Sequence, residues 1–226
     1  MKKAVISLNT VLIAAVCVLN YFYITKDTIL IKSICSGCFA LLGLINLIYA
    51  EKRGIKKIGF NVVMALGFAF AMLGDVVLEI HFISGAALFA IGHMIYFAAY
   101  CTVEALSALD VAVSAVIFLA GGSTLMFYKG FDFGGGLMKS VCIIYSLIIS
   151  FMVGKALVNL VKKPSVLTAI LALGSVLFIF SDAMLVFDKF LGTWAGFGVL
   201  CLATYYPAEC LLGFSTFYKA DSEKCT

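Results

Sequence analysis

The sequence predicts an all-α fold: a polytopic membrane helix bundle of eight transmembrane helices, forming a single integral membrane domain over residues 1–226. Three observations carry this expectation. Hydrophobic residues make up 64% of the chain and charged residues 12%, a balance outside the range of soluble domains. The apolar runs have the roughly 20 residues needed to cross a bilayer and together use almost the whole chain. The net charge of +4 comes from Lys and Arg placed in short stretches between those runs, where they orient helices and do not indicate a nucleic-acid partner.

Hydropathy places the helices at 4–24, 28–50, 58–80, 83–101, 110–128, 137–160, 166–187 and 193–218. The first follows Met1-Lys2-Lys3, and its apolar run from Ala4 to Ile24 is too long for a signal-peptide core and lacks a small-x-small cleavage site. A lipoprotein site at Cys17 is disfavoured by Val16 before it. The second helix opens with Lys32 and carries a lone Cys35-x-x-Cys38, which without a second pair does not point to metal or redox chemistry. Nearly all of the eight cysteines fall inside apolar runs, where Cys behaves as a small hydrophobe.

The third helix has a small-residue stripe, Gly67, Ala71 and Gly74, suited to close packing, and ends with Asp75 and Glu79 one turn apart. On the fourth, Phe89, His93, Tyr96 and Tyr100 follow i, i+4, i+7, i+11 and share one face. The seventh carries Gly174, Phe178 and Asp182 in similar phase. On the eighth, Tyr205 and Glu209 are one turn apart, and Pro207 is expected to kink the helix and free a carbonyl. Tyr21, Tyr23, Tyr128 and Tyr218 read as interface anchors.

An even number of helices puts both termini on one side. That side holds Lys2, Lys3, Lys52, Arg53, Lys56, Lys57, Lys155, Lys162, Lys163, Lys219 and Lys224, against Lys26, Lys32, Lys129, Lys139 and Lys189 on the other. The positive-inside rule then makes both termini cytoplasmic, in a multi-pass protein expected in the cell (plasma) membrane. Asp75 and Asp182 each fall about five residues, roughly 8 Å, from the outer ends of their helices. Lys32 enters from the same side and His93 lies near mid-membrane, so four ionisable groups are expected to line one outward-facing cavity.

Gly74-Asp75-x-x-Leu78 and Ser181-Asp182-x-x-Leu185 also echo each other at an offset of four helices. Such an offset preserves direction across the membrane, as in a parallel four-plus-four repeat that could bring the two aspartates face to face. Two carboxyl groups sharing a low-dielectric site cannot both ionise easily, which leaves a general acid beside an anion. That combination suits reactions passing through an oxocarbenium-like cation. The alternatives are a structural Lys32–aspartate pair with the other aspartate reaching the interface, a proton- or cation-coupled transporter or channel using the same groups, and a non-catalytic scaffold. With only His81 and His93 in the chain, a three-histidine zinc site within one subunit is excluded, and His93 reads as a hydrogen-bonded packing residue.

Eight helices, Lys32, Gly74-Asp75 with Leu78, then Gly85, Phe89, His93 and Tyr96, Ser181-Asp182 with Leu185, and Tyr205-Tyr206 together resemble the YhhN-type lysoplasmalogenase family of integral membrane proteins across essentially the whole chain. The family often has Lys-Pro where this chain has Lys32-Ser33. The resemblance implies hydrolysis of the vinyl-ether bond of lysoplasmalogens to a fatty aldehyde and a glycerophospho-ethanolamine or -choline. It implies Asp75 and Asp182 as catalytic residues, with Lys32, His93 and Tyr205 around them; Tyr96, Glu79, Glu209 and Ser181 are further candidates for binding substrate or supporting the site. No metal or organic cofactor is expected, and the partner is a lysophospholipid drawn from membrane lipid.

Overall fold

A computed structural model describes residues 1–26, 28–55 and 59–223, so Lys56, Lys57 and Lys224, used above to orient the chain, lie outside the described residues. The eight helices are α1 (Lys2–Lys26), α2 (Ile29–Lys52), α3 (Gly59–Ile80), α4 (Phe82–Cys101), α5 (Ala108–Phe127), α6 (Gly136–Lys162), α7 (Val166–Phe190) and α8 (Gly196–Ser222). Each is long and apolar enough to cross a membrane. Side chains such as Val11, Val18, Leu66, Val116, Leu119, Ile144 and Leu173 stand exposed around the bundle. Apolar surface of that extent is stable against hydrocarbon but not against water, and the protein is an integral, multi-pass membrane protein.

The helices form four hairpins, α1–α2, α3–α4, α5–α6 and α7–α8, which turn at one end of the bundle, here the hairpin end. The termini and the links between hairpins occupy the other. The tightest turn is α3–α4, where His81 alone separates the helices and its Nδ1 caps α4 by accepting from the Ser84 N–H at 3.3 Å. Such a short turn forces close approach, and the small-residue stripe makes it possible. A methyl group added at Gly67 would strike the Tyr96 ring, one at Gly74 would reach Phe89 at 2.9 Å, and one at Gly85 would strike the Leu78 backbone. Gly67 and Gly74 therefore act as floors for aromatic rings of α4.

Buried polar side chains tie the helices together toward the end that holds the termini. Asn9 donates to Asn46 at 2.9 Å, Asn46 to the Gly213 carbonyl at 3.0 Å, and Asn61 to the Thr216 carbonyl at 2.8 Å, joining α1, α2, α3 and α8. Among the described residues, helix α5 packs closely against α6 and against no other helix. Its start is pinned by the fully buried Lys155, whose Nζ donates to the Ala105 carbonyl at 2.9 Å and pairs with Asp110 at 3.2 Å. At the same end Lys163 pairs with Glu104 at 2.6 Å in the α4–α5 link, and that hydrogen bond holds the Glu104 carboxyl below its usual range.

Two boundaries differ from the sequence expectation with consequences for the site. Helix α7 continues to Phe190 instead of stopping at 187, and Asp188 and Lys189 in its last turn line a cavity. Asp182 is therefore eight residues, about 12 Å, from the helix end, deeper than Asp75, which keeps the five-residue depth expected of it. Helix α8 starts at Gly196 and runs without interruption through Pro207.

Candidate functional site

At the hairpin end, five of the helix ends that meet there and the start of α8 enclose a cavity of about 500 Å³. Lys32 and Asp75 form its charged wall, each only 3–4% exposed. Lys32 Nζ lies 3.1 Å from Asp75 Oδ1 and 2.6 Å from Glu79 Oε1, so one ammonium from α2 serves two carboxyl groups a turn apart on α3. Their i, i+4 spacing puts both on the face turned to α2. Glu79, about one-third exposed, also accepts from the Tyr23 hydroxyl at 3.0 Å. Asp75 Oδ2 accepts from Tyr206 at 3.1 Å and from Ser36. The rest of the lining is mostly apolar, with Leu78, Phe82, Phe89, Leu185, Val199 and Leu202, joined by Ser181, Asp188 and Lys189 of α7. A lining that combines charged groups with hydrocarbon is one an amphiphile requires.

The sequence expectation of one cavity shared by Lys32, Asp75, His93 and Asp182 is not met. Helical phase divides α7 into two faces. Ser181, Leu185 and Asp188 face the cavity, whereas Asp182 turns with Ile179, Ala183 and Val186 toward a separate apolar groove of about 160 Å³ between α5, α6 and α7. Asp182 Oδ2 accepts from the Tyr145 hydroxyl at 2.7 Å and lies 3.4 Å from His93 Nε2, which is itself 2.7 Å from the Tyr145 oxygen. Asp75 and Asp182 thus have different partners and line different spaces. Between the two groups stand Phe89, Phe178 and Tyr205: Phe89 and Tyr205 line the cavity, and Phe178 packs on both and on His93.

Of the other residues singled out from the sequence, Ser181 and Tyr205 are on the cavity wall. Tyr96 and Glu209 lie deeper and are bonded to each other, Tyr96 donating to Glu209 Oε2 at 3.0 Å. Sequence reasoning missed Ser36, Tyr145 and Tyr206 as partners of the aspartates. Ser36 was legible as the residue one turn after Lys32; Tyr145 gave no signal beyond being a tyrosine in an apolar helix. Tyr23, expected as an interface anchor, is 5% exposed and belongs to the charged wall, because the end of α1 leans over Glu79.

Comparison with known proteins bears on the same residues. No curated protein and no solved structure matches the chain significantly. The model of the YhhN family does match, over residues 27–216, a span containing Lys32, Asp75, Glu79, His93, Tyr145, Asp182, Tyr205 and Glu209. An eight-helix membrane bundle with this buried ionisable set, matched over most of its length, belongs to the YhhN family.

Proposed function

We propose that this chain is a membrane-embedded lipid hydrolase that cleaves the vinyl-ether bond of lysoplasmalogens, releasing a fatty aldehyde and a glycerophospho-ethanolamine or -choline. The observation that carries it is the cavity, in which a buried Lys32–Asp75 pair, joined at the more exposed Glu79, shares the lining with apolar side chains. A lysolipid enters from the bilayer with its chain among the Phe and Leu side chains and its head group toward the mouth, where Glu79, Asp188 and Lys189 stand. In this proposal both termini are cytoplasmic, the cavity opens on the opposite side of the plasma membrane, and the two four-helix halves form a parallel repeat.

The reaction needs a neutral acid beside a group that tolerates developing positive charge. Glu79, one-third exposed and on Lys32 at 2.6 Å, is the natural anion of the unit. Asp75 is the acid. Ser36 has one hydroxyl proton and two acceptors in reach, the Lys32 carbonyl at 3.0 Å and Asp75 Oδ2. When it donates to the carbonyl, its oxygen is free to accept a proton held on Asp75. Asp75 passes that proton to the β-carbon of the vinyl ether, and the resulting carboxylate sits beside the oxocarbenium ion. Water adds, and the hemiacetal collapses to aldehyde and alcohol. Asp182 is the second carboxylate, acting through the groups that separate it from the cavity.

The test is purified protein in nanodiscs given a vinyl-ether lysolipid, with the corresponding ester lysolipid as control and aldehyde as the readout. Aldehyde from the vinyl ether alone is expected, falling at least about a hundredfold in Asp75→Asn, the scale of removing a general acid. No aldehyde above the protein-free blank, together with pH-gradient-dependent ion flux in proteoliposomes, would replace the hydrolase with a transporter.

A further inference from the structure

Six buried side-chain polar atoms have no hydrogen-bond partner among the described residues, and three of them, His93 Nδ1, Tyr205 Oη and Glu209 Oε1, belong to one neighbourhood. Helix α4 turns Phe89 and Tyr96 toward α8, and His93 between them sends its Nε2 to Tyr145 of α6 and Asp182 of α7. The Phe89 ring meets Tyr205 at 5.9 Å, and the Tyr96 hydroxyl reaches Glu209 Oε2 at 3.0 Å. His93 is one turn beyond Phe89 and one turn short of Tyr96, while Tyr205 and Glu209 are themselves one turn apart. The three atoms therefore come to one level of the bundle. Phe178 closes the space from α7, in edge contact with His93 at 4.6 Å and with Tyr205 at 5.3 Å.

The tautomer of His93 follows from proton counting. Tyr145 has a single hydroxyl proton and gives it to Asp182 Oδ2. The imidazole Nε2, 2.7 Å from the Tyr145 oxygen, must then be the donor to it. In a neutral imidazole that leaves Nδ1 as a bare lone pair. A lone pair, a hydroxyl and a carboxyl oxygen buried together without partners are costly singly, and are satisfied together by a small molecule that both donates and accepts.

The geometry points to a water site bounded by His93 Nδ1, Tyr205 Oη and Glu209 Oε1 and joined to the cavity by Tyr205, the one of the three that lines it, in which His93 is the general base and Asp182 its positioning residue through Tyr145. This explains how a carboxylate outside the cavity bears on chemistry inside it. The site rests on the hydrolase reading only for the electrophile it serves. There, after Asp75 has protonated the β-carbon, the water oxygen bonds to the cationic carbon and its proton passes to His93 Nδ1. In the collapse, the hemiacetal hydroxyl proton returns to the Asp75 carboxylate and the bond to the glycerol oxygen breaks. That oxygen takes the proton from His93. One water is consumed and both residues regain their starting forms. The ionisable groups in contact with His93 are Tyr145 from α6 and Asp182 from α7; Tyr205 and Glu209 of α8, with Tyr96 on Glu209, bound the proposed water from the other side.

Nitrogen-15 NMR of histidine-labelled protein tests the site without any substrate. The chain has only two histidines, and His81→Asn, which keeps a capping side chain, assigns the His93 signals. The expected spectrum has a protonated Nε2 and an unprotonated Nδ1. Asp182→Asn is expected to move it toward the other tautomer. Tyr145→Phe leaves Nε2 facing the carboxylate at 3.4 Å and is expected to preserve the tautomer, and Tyr205→Phe to shift Nδ1 alone. A protonated Nδ1 in the parent, or no response to Asp182→Asn in a variant that keeps its thermal midpoint, overturns the inference. In the aldehyde assay, His93→Gln and Asp182→Asn are each expected to lower kcat on the order of a hundredfold with KM little changed. Unaltered turnover in either also overturns it. A parent that releases no aldehyde overturns the hydrolase reading, and the NMR result then decides the water site alone.

Discussion

Replacing Lys155 with Met removes the ammonium that pins α5 and leaves a side chain of similar length. In the structure Lys155 is fully buried, 3.2 Å from Asp110 and 2.9 Å from the Ala105 carbonyl. The substitution strands a buried carboxylate and a carbonyl. Removing one partner of a buried pair costs about 3–5 kcal/mol. The lower figure applies here, because Asp110 Oδ2 keeps two donors from Ser107, its N–H and hydroxyl, each at 2.7 Å. For a domain of this size about 3 kcal/mol corresponds to a fall of about 6–12 °C in thermal midpoint. Asp110→Asn should be milder, since its capping contacts survive in part. The double variant should be more stable than the sum of the single losses predicts, with a coupling of about 1–3 kcal/mol. Thermal unfolding of the four proteins in one detergent measures this cycle. Simple additivity would refute the claim that the pair holds α5, which among the described residues packs closely against α6 alone.

Two further outcomes follow from the same structure. Gly85→Val should destabilise the bundle by about 1–3 kcal/mol or more, because its Cβ would collide with the Leu78 backbone, whereas Gly59→Val, with open space around it, should leave the midpoint nearly unchanged; equal midpoints would mean that α3 and α4 do not approach as described. The Glu104–Lys163 pair has its carboxyl held low by the lysine hydrogen bond, so its contribution is present above the usual carboxylate range and is lost as pH falls through the folded value. Comparing parent and Glu104→Gln midpoints from about pH 7 to about pH 3 should show a small difference that vanishes at the acid end and in high salt; a difference that grows on acidification contradicts the pairing.

Much of the fold was legible before any coordinates. Spanning length and apolar composition placed eight helices with boundaries shifted by only a few residues, since a helix in lipid must satisfy its own backbone and so follows the hydrophobic run. The stripe of Gly67, Ala71 and Gly74 likewise announced close packing, although not that Tyr96 and Phe89 would lie on it. The charged wall was partly legible: Lys32, Asp75 and Glu79 were all candidates, but that a single lysine serves both carboxyls depends on how α2 is rotated against α3.

What the linear pattern alone decided is the membrane class, the helix count and the identity of the ionisable residues, because each depends on local composition and on the cost of charge in hydrocarbon. What only the tertiary structure decided is their grouping. Asp75 and Asp182 look alike in sequence, each near a helix end and followed by Leu three residues later. A rotation of one residue on α7 turns Ser181 to the cavity and Asp182 to Tyr145 and His93. Helical phase relative to a neighbour is set by packing across the whole bundle and is absent from the spacing of residues within one helix.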